Sequence, residues 1–66
     1  MRSPYEELDA AKDDPDLLQD TVSSLLREND PTGAIRKDVR QWEDDHPKEA
    51  AAIGRGPMKR RELARA

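Results

Sequence analysis

The chain's one histidine, His46, follows directly on Asp44 and Asp45, and this triplet is the first place to look for chemistry. Imidazole and carboxylates are the side chains that ligate divalent metals and exchange protons near neutral pH. There is no cysteine, so thiolate nucleophiles, thiolate metal sites and disulfides are excluded. A Ser/His/Asp relay would have to run through His46. Adjacent residues of a helix point in different directions, however, so Asp44, Asp45 and His46 do not converge on one ion. The reading is a helix end followed by the cap of the next helix. Asp13-Asp14-Pro15-Asp16 lacks the glycine and distal glutamate of a calcium loop. Gly54-Arg55-Gly56-Pro57 is too short for a phosphate loop, and no strand precedes it. The few large apolar side chains cannot both fill a core and wall a cleft. The expectation is no enzyme: no catalytic residue, metal site, cofactor site or small-molecule substrate.

Two groups of residues remain as candidates for binding. Arg36, Arg40 and Trp42 lie close together, and arginine and tryptophan dominate interface energetics. A lone tryptophan at the end of an apolar stripe also serves as a core anchor, so Trp42 has two readings. The second group is the basic C-terminal run Arg55, Lys59, Arg60, Arg61 and Arg65, opposed there only by Glu62. Residues 49–63 read as helix, turn and basic helix. Ala50 four places before Gly54, Ile53 just before it and the later Leu63 loosely match helix-turn-helix patterning. Glu49 and Arg60 depart from it by standing where that pattern prefers apolar residues. The acidic body of the chain also opposes phosphate contact.

Charge is unevenly distributed along the chain. Residues 1–30 hold nine acids and three bases, and residues 31–66 hold nine bases and six acids, within a net charge of −3. Such a gradient suits contact between the ends of the fold, head-to-tail association, or an anionic partner for the basic end. It also suits the helix macrodipole, with acids in early first turns and bases in the last helix.

The elements that position these residues are short helices. Pro15, Pro31 and Pro47 stand sixteen residues apart, the first two directly after an aspartate and the third after Asp45-His46. An aspartate accepts the free N–H groups of a first turn, and proline suits N1, so each marks a helix start. Ser3, Pro4 and Glu6 open an earlier helix over residues 4–13, with Tyr5, Leu8 and Ala11 as a short stripe of few contacts. Residues 15–28 carry Leu18, Val22 and Leu25 at i, i+4, i+7, flanked by Leu17 and Leu26. Residues 32–44 repeat that spacing with Ile35, Val39 and Trp42, while Arg36 and Arg40 share a flank suited to acids of the preceding helix. A fourth helix, 47–53, ends at Gly54, and its alanine run buries little. Arg55-Gly56 reads as a flexible joint before a final basic helix from Pro57.

The fold class expected is all-α, a small bundle of four to five short helices around a hairpin of the second and third. Residues 1–56 form the helical core, and 57–66 a basic helix or tail that can be removed without loss of the fold. Apolar residues are 33% and no run approaches a membrane span, so a soluble, cytoplasmic protein is expected. The leading functional expectation is a non-enzymatic interaction module, a regulator, adaptor or inhibitor that binds a partner protein through a helical face. The alternatives are a DNA- or RNA-binding protein using the C-terminal segment, and a homo-oligomeric structural element.

Overall fold

The structure is a computed structural model describing residues 3–65, with the side chain of Arg65 outside the described residues. Five helices follow one another: α1 (Pro4–Ala11), α2 (Pro15–Arg27), α3 (Ala34–Asp45), α4 (Pro47–Ala52) and α5 (Pro57–Arg65). The protein is thus an all-α bundle, and no described helix is long and apolar enough to cross a membrane.

Capping sets the helix starts. Ser3 Oγ accepts the Glu6 amide of α1 at 3.2 Å, and Asp14 Oδ1 accepts those of Asp16 and Leu17 at 3.1 and 3.3 Å. Proline occupies the first turn of α1, α2 and α4. Pro31 departs from the expected pattern. α3 starts at Ala34, and the Gly33 amide donates to the Asp30 carbonyl at 3.2 Å, which closes a turn over Asp30-Pro31-Thr32-Gly33. Aspartate first, proline second and glycine fourth are the preferences of a type I turn, and here they outweigh the helix-start signal. Asp30 still caps α3, from outside it, since its Oδ2 accepts the Arg36 amide at 3.1 Å.

Leu8, Ala11, Leu18, Val22, Leu25, Val39 and Trp42 form the core, with Tyr5, Leu26, Ile35 and Ile53 packed against it. The three apolar stripes read from the sequence are therefore the three sides of the core. α1 contributes more than its short stripe suggested. It packs extensively on both α2 and α3, and Leu8 is fully buried. The small Ala11, itself buried, lets the helices approach closely, and the Tyr5 hydroxyl donates to Asp45 Oδ2 at 2.7 Å.

The α4–α5 corner is a close-packed joint rather than a flexible one. The Gly54 amide donates to the Ala51 carbonyl and the Arg55 amide to that of Ala50, a Schellman closure with Gly54 at φ +74°. Gly56 is buried at φ +99°, and a Cβ there would lie 2.8 Å from the Cβ of the fully buried Ala50. Gly56→Ala therefore combines backbone strain of about 1–2 kcal/mol with a steric clash. Gly54→Ala meets nothing within 4 Å and carries the backbone strain alone. Thermal melts are expected to show the larger loss for Gly56→Ala, and equal losses would show that Ala50 moves freely aside.

Candidate functional site

α3 carries Arg36, Arg40 and Glu43 at i, i+4, i+7 on the flank beside the Val39 side of its core stripe. Leu26 and Val39 floor a groove of about 340 Å3 there, and Arg55 and Arg60 form its far wall. Glu43 is only 2% exposed, although it is a carboxylate. Its Oε2 accepts from Arg55 Nε, and its Oε1 accepts from Arg60 Nη1 at 3.1 Å. Arg60 Nη2 also donates to Asp44 Oδ1, so one guanidinium bridges two neighbouring carboxylates. Burying a carboxylate is expensive unless it is paired and hydrogen-bonded, and both of its oxygens are satisfied here. The partners stand in the turn after α4 and on α5. Glu43 therefore ties the basic C-terminal segment to α3, although α5 packs its backbone mainly on α4.

Arg36 and Arg40 are exposed and form no ion pair among the described residues. The expected pairing with acids of α2 is not made, for a geometric reason. Asp20 and Glu28 lie on the other flank of α2, where with Glu7 and the half-exposed Leu17 they line a second groove of about 440 Å3. The arginine groove thus holds four guanidinium groups against the carboxylates of Glu43 and Asp44, and two of the four are unneutralised.

Trp42 does not belong to the surface. It is fully buried, which takes it out of the partner-binding set and makes it the core anchor. The His46 ring stacks on it with centroids 4.5 Å apart and 14° between planes, and Tyr5 meets His46 edge-on at 6.1 Å. His46 Nδ1 lies 3.1 Å from the Trp42 carbonyl, and Nε2 lies 3.3 Å from Asp9 Oδ1. The triplet that invited a metal reading therefore diverges. Asp44 reaches Arg60 on α5, Asp45 reaches Tyr5 on α1, and His46 closes one helix and opens the next. Asp45 also accepts from Gln41 Nε2 at 3.1 Å. The Tyr5 phenol is held above its ordinary value of 10.0, first by its hydrogen bond to Asp45, then by burial and the charges of Asp45 and Asp9.

The five C-terminal bases have different fates. Arg55 and Arg60 are engaged with Glu43, Lys59 lies 3.5 Å from Glu62, and Arg61 is exposed. Arg65 closes α5, and its side chain lies outside the described residues. Glu43 itself was missed in the sequence, although it stands four residues after Val39, at the edge of the buried stripe.

No family model, curated protein or solved structure matches this chain. The fold and the groove define the class by themselves, a five-helix bundle with a charged groove beside its core.

Proposed function

We propose that this protein is a small non-enzymatic interaction module, a cytoplasmic regulator, adaptor or inhibitor, that binds an acidic helical segment of a partner protein. The observation behind this reading is the pair Arg36 and Arg40, exposed and unpaired one helical turn apart beside the Leu26/Val39 floor. Guanidinium forks match carboxylates in two-point geometry, and an apolar floor beside them suits the leucine face of an amphipathic helix. Arg55 and Arg60 shape the wall, but their charge is already met by Glu43 and Asp44.

The test titrates two labelled probes against the protein at about 50 mM salt, where phosphate contacts are favoured. One is an amphipathic helical peptide with glutamates at i, i+4 flanking leucines, and the other is duplex DNA. The peptide is expected to bind, and Arg36→Ala/Arg40→Ala is expected to weaken it at least tenfold, about 1.4 kcal/mol. Tighter binding of DNA with a steep salt dependence, lost in Lys59→Ala/Arg61→Ala, would replace this reading with the nucleic-acid one.

A further inference from the structure

The two grooves lie on opposite flanks of α2. Successive helical residues turn by about 100°, so Leu17, Asp20 and Glu28 share one side of α2 and Leu26 falls nearly opposite. The acidic groove forms against α1, which supplies Glu7, and the arginine groove forms against α3. Each groove has unpaired charged groups: Glu7, Asp20 and Glu28 make no ion pair among the described residues, and neither do Arg36 and Arg40, while Arg55 and Arg60 are paired with Glu43. Each groove also has an apolar element. Leu17 is 51% exposed at the acidic groove, while Leu26 and Val39 floor the basic one.

We propose that the acidic groove of one copy docks onto the arginine groove of another, with Leu17 set against the half-buried Leu26. This proposal rests on the reading of the arginine groove as a site for acidic helices and names a second copy of this chain as an occupant. α2, whose acidic face lines one groove, is itself such a helix. Because the grooves flank α2 on opposite sides, a copy cannot satisfy both within itself. The contact is head-to-tail, and it continues through further copies unless the rotation closes a ring. The net charge of −3 on each copy opposes association only weakly at physiological salt, where exposed charges more than about 8 Å apart are largely screened. The attraction between the opposed groups is strongest at low salt and weakens as salt rises.

The experiment is sedimentation equilibrium of the full chain across a wide concentration range, in about 0.05 and 0.5 M salt, bracketing the range over which surface charges become screened. The mass is expected to rise with concentration at low salt and to fall toward the monomer at high salt. Asp20→Arg/Glu28→Arg and Arg36→Glu/Arg40→Glu, with wild-type helicity, are each expected to raise the dissociation constant at least tenfold. Mixing the two variants is expected to restore association, because each then offers the charge the other lacks. A wild-type monomer at every concentration overturns the proposal, and so does a dimer that survives in both variants. Binding of the glutamate-leucine peptide by a strictly monomeric protein would leave the groove reading standing and remove only the self-association. Failure of the peptide as well would remove both.

Discussion

Trp42→Ala is expected to unfold the domain at room temperature. The indole is fully buried, belongs to the central cluster built from α1, α2 and α3, and carries the stacked His46 ring on its face. Truncating a buried tryptophan costs about 3–5 kcal/mol, because the surrounding side chains collapse only partly into the space. A domain of this size has a total stability of only about 3–10 kcal/mol at the usual increment per residue. The loss therefore takes from about a third to all of what holds the fold. Trp42→Phe makes a graded control. The Trp42 Nε1 has no hydrogen-bond partner among the described residues, so phenylalanine sacrifices volume and stacking but no polar contact. Circular dichroism melts are expected to show no cooperative transition for alanine and a lowered one for phenylalanine. A cooperative alanine variant with a nearly unchanged midpoint would show that the core closes without this ring.

The second large effect is an asymmetry around Glu43. Its side chain is 3% exposed, whereas those of Arg55 and Arg60 are 40% and 34% exposed. Removing the carboxylate leaves two guanidinium groups that can turn to water. Removing both arginines leaves the carboxylate without either of its partners at the wall of the groove. Breaking a buried pair from one side costs about 3–5 kcal/mol when the remaining charge stays buried, while an apolar replacement of similar volume is often neutral or better. Arg55→Ala/Arg60→Ala is therefore expected to lose about 1–3 kcal/mol, and Glu43→Met to stay within about 1 kcal/mol of wild type. Urea unfolding of the three proteins checks the order. A costlier Glu43→Met would mean that the carboxylate contributes net stability beyond satisfying its own burial.

Much of the architecture was legible because the chain's signals are local. Asp14-Pro15 and Ser3-Pro4 act within one turn, and the Leu18/Val22/Leu25 and Ile35/Val39/Trp42 stripes need only helical periodicity to be read. Pro31 misled because the same dipeptide serves a helix start and a turn, and only the glycine two places later decides between them. The contribution of α1 was underread because how much of Leu8 and Ala11 is buried depends on what faces them, not on the length of their stripe. The candidate site was half legible. Arg36 and Arg40 stood out as neighbours on one face, but the pairing of Arg60 with Glu43 spans seventeen residues and obeys no local rule. For the same reason the basic run looked like a separable tail, whereas Arg55 and Arg60 anchor it to α3.

The divergence of Asp44, Asp45 and His46 also shapes how the molecule breathes. Three consecutive residues hold α5, α1 and the α3–α4 corner, so the end of α3 is a vertex where connections to most of the fold meet. Opening there severs several links at once, so its amides are expected to exchange more slowly than those of the other helix ends. α5 is tied to that vertex by side chains and packs its backbone mainly on α4, so opening it breaks fewer contacts than opening the end of α3. Undocking of α5 would free Arg60 from Glu43 and remove its share of the groove's far wall, leaving Arg55 in the turn. The far wall of the groove therefore depends on the last helix being docked.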